Sequence, residues 1–155
     1  MKIIIFGCGR VGSKLAVLLS SLGHEISVID SSPDAFLKLP DTYKGTNILG
    51  NGMDDDVLKR AGIENADAFI AVTQGDNRNI MVSEIAKFVY KVPKVITRVY
   101  DPVRCEMFGK LGLDTSSPTI TFTNAISDDL LKGWTVPEPS DPEEAPAKNE
   151  EEVAQ

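Results

Sequence analysis

The sequence of 155 residues contains few of the side chains that metal, disulfide or acid–base chemistry requires. It has two cysteines, one histidine and one tryptophan. Cys8 and Cys105 lack any metal-ligand or redox spacing, which argues against a disulfide framework and indicates a reducing compartment. No apolar run reaches the length of about 18 residues that a membrane helix needs, and no signal-peptide pattern precedes the first strand. We therefore expect a soluble, cytoplasmic chain.

Basic residues are also scarce. Sixteen Lys and Arg stand against 23 Asp and Glu, for a net charge of −7, and no basic patch is interleaved with aromatic residues. This argues against nucleic-acid binding. From Thr135 onward there are seven acids, one lysine and four prolines, a composition that cannot bury enough apolar surface to offset its ordering entropy. We predict one domain over residues 1–134 and a disordered acidic tail over residues 135–155.

The most informative feature that is present is a glycine-rich turn after a short apolar run. Residues 2–6 have the pattern of a buried parallel strand, and Gly7-Cys8-Gly9-Arg10-Val11-Gly12 follows. Gly7 permits a tight turn, Gly9 lets the backbone approach a pyrophosphate, and Gly12 lets the next helix pack closely on the sheet. The first N–H groups of that helix, predicted over residues 10–22, would bind a phosphate.

Two side chains complete this predicted nucleotide site. Arg10, at the start of the helix, can reach a diphosphate or a terminal phosphate with two donors; a solvated side chain is the alternative. Asp30 ends the second apolar run, 18 residues after Gly12, and its carboxylate can accept hydrogen bonds from ribose hydroxyls while repelling a 2′-phosphate. With Ser31 beside it, the site is predicted to bind NAD(H) or ATP, ADP or AMP rather than NADP(H).

Short apolar runs continue to alternate with helical segments along the chain. This rhythm predicts an α/β fold: a Rossmann-like, doubly wound parallel sheet of about six strands with helices on both faces. The last helix is predicted at about residues 121–132. Ligands of such sheets bind outside the carboxyl ends of the strands. The three consecutive carboxylates at residues 54–56 are interpreted as helix capping rather than a metal site, because adjacent residues on a helix cannot all face one ion.

Other polar residues fall at or just beyond the predicted strand ends. Thr73 could donate to a phosphate or base, or cap the following helix. Asn79 could face the crevice or lie in solvent, and Arg98 could pair with a phosphate, with a neighbouring subunit or with a surface acid. The turn Asn51-Gly52-Met53 could approach a planar base or be an ordinary strand-to-helix turn.

Beyond these motifs, the chain resembles the RCK N-terminal, KTN or TrkA-N family of regulatory domains of potassium transporters and channels. The similarity runs from Met1 to about Pro118. It is carried by the glycine fingerprint and by these segments: Val28-Ile29-Asp30, Gly50-Asn51-Gly52, Val57-Leu58-Lys59-Arg60-Ala61-Gly62-Ile63-Glu64-Asn65-Ala66-Asp67, Thr73, Asn79, Ala86-Lys87, Arg98-Val99-Tyr100-Asp101-Pro102 and Leu111-Gly112-Leu113-Asp114.

The resemblance implies a regulatory subunit that binds NAD(H) or ATP, ADP or AMP and passes the ligand state to an integral-membrane potassium transporter or channel. It matches Arg10 to the family's phosphate-contacting arginine, Asp30 to its ribose acid, and residues 51–53 to the segment beside the base. It also implies a homodimer or higher ring, with the last helix as a candidate for crossing to a partner subunit. Family chains usually carry a second ligand-binding domain or follow a pore directly; a separately encoded protein could supply that domain here.

The rival interpretation is an NAD-dependent oxidoreductase or an S-adenosylmethionine-dependent methyltransferase, since both use a similar glycine loop and acid. A dehydrogenase needs a proton donor or acceptor near the nicotinamide. No histidine falls at a predicted strand end, and neither cysteine has a matching base. Outside the acidic tail, the fold also uses all the residues, which leaves none for a substrate domain. We therefore expect a non-catalytic nucleotide sensor.

Overall fold

Six parallel strands form one sheet in this computed structural model, which describes residues 1–133. The strands are β1 (Lys2–Phe6), β2 (Glu25–Asp30), β3 (Thr46–Leu49), β4 (Ala68–Ala71), β5 (Lys94–Arg98) and β6 (Asp114–Ser116). Their order across the sheet is β3-β2-β1-β4-β5-β6, the order of a Rossmann-like fold. The predicted doubly wound sheet of about six strands is confirmed, whereas the predicted acidic tail lies outside the described residues.

Helices connect successive strands and cover both faces of the sheet. They are α1 (Arg10–Ser21), α2 (Asp55–Arg60), α3 (Asp76–Glu84), α4 (Pro102–Lys110) and α5 (Pro118–Leu131), with 3-10 turns at Pro33–Lys38 and Ile63–Asn65 and a π-helical turn at Ile85–Val89. The chain builds β1 to β3 outward in one direction and then returns to place β4 on the other side of β1. This reversal opens a crevice at the carboxyl ends of β1 and β4.

The alternation of side chains along β1 divides the core into two layers. Ile3 and Ile5 pack with Ala16 of α1 on one face, whereas Ile4 and Phe6 pack with the residues of α2 and α3 on the other. All four β1 side chains are at most 5 % exposed. The continuous apolar run at the N-terminus therefore forms a central strand that is covered on both faces, as the sequence predicts.

The buried face of α3 differs from the one that the apolar residues predict. The helical spacing of the apolar residues in the sequence predicts a buried face made of Ile80, Met81, Ile85, Phe88 and Val89. Met81, Phe88 and Val89 are nevertheless each at least half exposed. Ile80 is buried as predicted, and the other residues buried here are Asn79, Val82, Ser83 and Ala86, three of which are small or polar. Close packing of helix on sheet favours small residues, and the π-helical turn adds a residue that shifts the phase of the apolar pattern.

Helix α5 begins three residues earlier than predicted, because Ser117 caps it and Pro118 occupies its first turn. None of its residues is buried, and it presents five large apolar side chains to its surroundings: Ile120, Phe122, Ile126, Leu130 and Leu131. Among residues 1–133, no helix is long and apolar enough to cross a membrane.

Candidate functional site

The crevice at the carboxyl ends of β1 and β4 has a volume of about 590 Å³, within the range of small-molecule sites. Eight residues of the sequence-predicted site line it: Gly7, Gly9, Arg10, Val11, Asp30, Ser31, Thr73 and Arg98. Five further residues line it that the sequence did not single out: Phe6, Val72, Gln74, Arg78 and Tyr100. Tertiary structure thus brings together residues separated by up to about ninety positions in the chain.

The carboxylate of Asp30 joins the glycine turn to the end of β2. Its Oδ2 accepts a hydrogen bond of 2.7 Å from the backbone N–H of Cys8, and its Oδ1 accepts one of 2.9 Å from the N–H of Ser32. An ionised carboxylate has about four lone-pair positions, so both oxygens keep acceptor capacity toward the crevice. The same side chain can therefore hold the turn in place and accept hydrogen bonds from a ligand.

Two glycines of the turn meet steric requirements that no other residue satisfies. Gly7 has a φ of +108°, a backbone conformation that side chains disfavour. At Gly12, a Cβ atom would lie 1.8 Å from the carbonyl oxygen of Gly7. Helix α1 can approach β1 this closely only because Gly12 has no side chain, which agrees with the packing role predicted from the sequence.

The N-terminus of α1 is left open toward the crevice. Its N-cap residue Gly9 provides no side-chain acceptor, and no acidic residue occupies the first turn. The N–H groups at this end of the helix therefore have no side-chain cap and carry partial positive charge. The exposed side chain of Arg10 lines the same opening, and it forms no ion pair with any described residue. Together these groups form a positively charged end of the crevice.

Cys8 lies beneath the turn rather than in the crevice wall. Its side chain is fully buried, and burial, followed by the negative charge of Asp30, raises the pKa of its thiol to about 11. A thiol with that pKa stays protonated at neutral pH and is a poor nucleophile. The structure therefore makes Cys8 a small packing residue and offers no support for a redox role.

The buried side chain of Asn79 joins two crevice residues, Thr73 and Arg98, in a hydrogen-bonded cluster. Asn79 Oδ1 accepts from the backbone N–H of Thr73 (3.0 Å) and from its hydroxyl (2.6 Å), while Asn79 Nδ2 donates to the carbonyls of Thr73 (2.9 Å) and Arg98 (3.0 Å). The Arg98 guanidinium also donates to the Thr73 carbonyl.

This cluster corrects two of the sequence-based alternatives. Asn79 is 0 % exposed, so it lies neither in solvent nor in the crevice; its four hydrogen bonds fix the carboxyl ends of β4 and β5. Thr73 does not cap α3, whose N-cap is Gly75. The Thr73 hydroxyl proton is already donated to Asn79, so this hydroxyl can only accept from a ligand.

The turn after β3 packs against the crevice residue Phe6 without lining the crevice itself. Asn51, Gly52 and Met53 are absent from the residues that line it. Asn51 Oδ1 accepts from the backbone N–H of Met53 (3.2 Å), and a Cβ atom on buried Gly52 would lie 2.4 Å from the Phe6 ring. Of the two sequence-based interpretations, this geometry favours the ordinary strand-to-helix turn.

Arg78 and Tyr100 are two of the five crevice residues that the sequence analysis did not single out, and each had a weak signal in the sequence. Arg78 lies in the first turn of α3, seven residues after the end of β4, and Tyr100 follows the end of β5 by two residues. Both positions lie just past strand ends, where ligands bind. The Tyr100 ring stacks on the Arg98 guanidinium, with 4.4 Å from Arg98 Cζ to the ring centroid, which is within the range of a cation–π contact.

Tyr90 and Lys94 have the Tyr-x-x-x-Lys spacing of the pair that donates a proton in some dehydrogenases. The structure separates this pair from the crevice. The Tyr90 hydroxyl donates to Asp55, and Lys94 pairs with Asp114 at 2.7 Å. Lys94 begins β5, whereas the crevice lies at the other end of that strand, near Arg98. These two side chains are therefore structural rather than acid–base groups of the crevice.

The acids at residues 54–56 have local partners. Asp54 is the N-cap of α2 and accepts from the N–H of Asp56 at 3.0 Å, while Asp55 pairs with Lys59 at 2.6 Å. The capping interpretation is confirmed for Asp54. Within residues 1–133, no group of three or more potential ligands is placed to hold a metal ion.

Comparison with known proteins assigns this fold to a family. The TrkA-N domain model matches residues 3–117. The chain is 42 % identical over 132 residues to the Trk system potassium uptake protein TrkA of Streptomyces coelicolor, covering 85 % of this chain and 57 % of that protein. The chain spans about half the length of the first curated relatives that it matches.

Solved structures share the fold at low identity. The Kef C-terminal domain of Shewanella denitrificans in AMP-bound form matches with a TM-score of 0.69 and 23 % identity, covering 83 % of this chain and 79 % of that one. The GsuK channel bound to NAD matches with a TM-score of 0.70 and 22 % identity, covering 83 % of this chain and 23 % of that one. With the family model covering most of the described residues, this chain belongs to the TrkA-N domain family.

Proposed function

We propose that the crevice binds an adenine nucleotide, NAD(H) or ATP, ADP or AMP. The observation that carries this proposal is the position of Asp30 beside an uncapped α1 N-terminus, 2.7 Å from the Cys8 N–H. Asp30 would accept hydrogen bonds from the ribose hydroxyls, while the turn at Gly7–Gly9 and the first N–H groups of α1 would bind the phosphates. Arg10 would pair with a phosphate from the rim. Relatives of this fold include structures described as bound to AMP and to NAD.

The proposed biological role is regulation of a potassium transporter or channel. The support is family membership together with the name of the Streptomyces relative, a Trk system potassium uptake protein. The chain would act without catalysis at the inner face of the membrane, bound to an integral-membrane partner. A separate protein carrying a second regulatory domain could complete the assembly. Among the described residues, no histidine or cysteine lines the crevice.

A short path links the crevice to the exposed helix α5. Tyr100 lines the crevice, and its carbonyl accepts from Ser117 Oγ (3.1 Å) and Thr119 Oγ1 (2.9 Å) at the start of α5. A ligand that contacts Tyr100 can thereby bias the direction of α5. The apolar side chains of α5 would pack against a second copy of the chain in a dimer or ring. A ligand shifts such an arrangement only by its difference in affinity for the two states.

Calorimetric titration of the chain with NAD, NADH, ATP, ADP, AMP and S-adenosylmethionine tests the binding proposal. Saturable binding of at least one adenine nucleotide, without turnover, is the expected result. Tight binding of S-adenosylmethionine alone would indicate a methyltransferase instead. Oxidation or reduction of a nicotinamide with a small alcohol or acid would indicate a dehydrogenase. Copurification of a tagged chain with a coexpressed potassium-transporter subunit tests the partner separately.

A further inference from the structure

Positive charge lines the crevice, whereas most of the excess negative charge of the chain lies in residues 135–155. Three arginines line the crevice (Arg10, Arg78 and Arg98), against the single acid Asp30. Residues 135–155, which lie outside the described residues, contain seven acids and one lysine. They therefore account for nearly all of the net charge of −7. Two oppositely charged parts of one chain attract each other wherever the chain lets them meet.

Arg98 is the arginine that most needs a counter-charge. It is only 8 % exposed, and its Nε atom is buried without a hydrogen-bond partner among residues 1–133. The guanidinium donates to the Thr73 carbonyl and stacks on the Tyr100 ring. None of the ion pairs within the described residues includes Arg98. A buried guanidinium without a counter-charge is costly, and an anion in the crevice would remove that cost.

Arg10 and Arg78 add two accessible cations from different helices. Arg10 begins α1 and Arg78 lies in the first turn of α3; both are exposed and line the crevice. Neither forms an ion pair with a described residue. Asp76, the one acid in the first turn of α3, instead accepts hydrogen bonds from the N–H groups of Tyr100 and Asp101. A guanidinium can pair with a carboxylate through two parallel hydrogen bonds, so acidic side chains suit this crevice chemically, as phosphates do.

The path of α5 brings the acidic residues within reach of the crevice. The helix starts beside it, because Ser117 Oγ and Thr119 Oγ1 donate to the carbonyl of the crevice residue Tyr100 at 3.1 and 2.9 Å. Its 14 residues span roughly 21 Å, which is the farthest that α5 can carry the chain from its start. The residues between 132 and 143 cover up to about 36 Å when extended. Residues 143 and 144 can therefore return to the crevice whatever the direction of α5.

We propose that the acidic segment of residues 138–144 docks in the crevice and competes there with the phosphates of a nucleotide. This segment carries four acids, Glu138, Asp141, Glu143 and Glu144. Attachment to the same chain holds it at an effective concentration on the order of millimolar, and the acids at 150–152 follow a longer tether, which lowers that concentration. The competition rests on the proposed nucleotide binding, whereas the docking itself does not. The chain thereby carries its own inhibitor of nucleotide binding.

A second basic cavity is a weaker site for the same acids. Lys14, Lys38 and Ser21 line a cavity of about 460 Å³ beside α1, and both lysines are exposed. Their charges are already solvated, so pairing with a carboxylate contributes little. The crevice differs because its Arg98 is buried without a counter-charge among the described residues.

Disulfide trapping in the full chain tests the docking without a nucleotide. Ala145→Cys places a thiol next to the acidic segment without removing an acid, and Gln74→Cys places one at an exposed position of the crevice lining. Mild oxidation of this double variant in dilute solution should link the two thiols, which peptide mass spectrometry detects. The matched control combines Ala145→Cys with Ser21→Cys, at an exposed position in the cavity of Lys14, and should link far less.

Titration calorimetry with ATP, ADP, AMP and NAD at low salt tests the competition. Replacing the four acids of the segment with amides should raise nucleotide affinity about three- to tenfold, the gain expected if the segment occupies the crevice for about 70–90 % of the time. The gain should shrink at high salt, because screening weakens the docking. The amide variant is Glu138→Gln, Asp141→Asn, Glu143→Gln and Glu144→Gln. The charge-matched control removes four exposed acids outside the crevice lining and should leave affinity unchanged: Glu25→Gln, Glu64→Gln, Asp128→Asn and Asp129→Asn.

The two experiments separate this inference from the proposed function. Linkage at Ser21→Cys as efficient as at Gln74→Cys, or no linkage at either, would overturn the docking. Equal nucleotide affinity in wild type and the amide variant, or the same gain in the charge-matched control, would overturn the competition. Failure of every adenine nucleotide to bind both wild type and the amide variant would overturn the proposed function, and the trapping result would still decide the docking.

Discussion

The Asp30 carboxylate accepts a hydrogen bond of 2.7 Å from the backbone N–H of Cys8, which ties the end of β2 to the glycine turn that follows β1. Two neighbouring parallel strands are joined by this contact at the edge of the sheet where the crevice opens. The carboxylate therefore has a structural partner before any ligand arrives. Its proposed ligand role and its structural role are carried by different lone pairs and can be measured separately.

Replacing Asp30 with Ala should weaken binding of adenosine ligands by about 1–3 kcal/mol, the scale for a lost charge-assisted hydrogen bond. It should also lower the free energy of unfolding by roughly 1–2 kcal/mol, because the Cys8 and Ser32 N–H groups lose their acceptor. Calorimetry and urea unfolding measure the two effects. Asp34→Ala, at an exposed position nearby, should change neither, and undiminished affinity in Asp30→Ala would remove Asp30 from the site.

Replacing two glycines of the turn with alanine should affect two different properties, stability at Gly12 and nucleotide affinity at Gly9. Gly12→Ala should lower the free energy of unfolding by about 1–3 kcal/mol or more, because its Cβ would lie 1.8 Å from Gly7 O. Gly9 has a φ of −75°, and no atom lies within 4 Å of its Cβ position. Gly9→Ala should therefore leave stability nearly unchanged and reduce nucleotide affinity, because the methyl group occupies the phosphate approach. Urea unfolding curves measure the stability of both variants, and calorimetric titrations measure their nucleotide affinity. Normal affinity in Gly9→Ala would contradict the proposed phosphate position.

Asn79→Ala should be among the most destabilising polar substitutions in the chain. It leaves four buried hydrogen bonds unmade at the ends of β4 and β5, at a cost of about 1–3 kcal/mol for each group left unsatisfied. Because Asn79 holds the backbone of Thr73 and Arg98, nucleotide affinity should fall as well. Asn47→Ala, at an exposed position on β3, is the control and should stay within about 0.5 kcal/mol of wild type. A stable Asn79→Ala protein would show that the cluster contributes little.

The stability of the fold should decline in alkaline solution partly through Cys8. Burial raises the pKa of its thiol to about 11 in the native state, from an ordinary value near 9. The native state therefore keeps a proton that the unfolded chain releases, and stability is lost as pH rises from about 9 through 11. Tyr43, with its pKa raised by burial to about 12, acts in the same direction at higher pH.

Urea unfolding at pH 8, 10 and 11 gives the free energy of unfolding at each pH, and the decline is the slope of that free energy against pH. The Cys8→Ala variant should show a shallower slope than wild type, whatever its stability at pH 8. Cys105→Ala leaves Cys8 in place and should keep the wild-type slope. Identical slopes in wild type and Cys8→Ala would show that the buried thiol does not contribute.

The apolar surface of α5 should mediate self-association. Phe122 and Ile126 are 69 % and 52 % exposed and lie one turn apart on the helix. Replacing both with Asp should shift the chain toward monomer in sedimentation-velocity experiments, because contiguous exposed apolar surface of this kind marks an interaction site. Thr123→Asp, on the same helix, adds a charge without removing apolar area and is the control. A monomeric wild-type chain would assign α5 to a different partner.

Much of the fold could be read from local pattern. The run Ile3-Ile4-Ile5-Phe6 predicts a strand covered on both faces, and the spacing from Gly12 to Asp30 predicts a turn and an acid at one sheet edge; the structure has both. The start of α5 and the buried face of α3 could not be read in this way. Met81 and Phe88 were expected in the core because they are large and apolar, whereas the sheet accepts Ser83 and Ala86. Helical periodicity identifies an apolar face of a helix, but it does not show how closely that helix must pack on the sheet.

The sequence by itself determined the alternation of strands and helices, the glycine turn and the carboxylate at its edge, because these depend on backbone conformation and on residues close together in the chain. Only the tertiary structure decided which distant side chains share the crevice. It placed Arg78, Arg98 and Tyr100 around one crevice, buried Asn79 behind them, and left Asn51 and Met53 out of the crevice lining. Those outcomes depend on strand order and on how closely each helix packs on the sheet, which spacing along the chain does not encode.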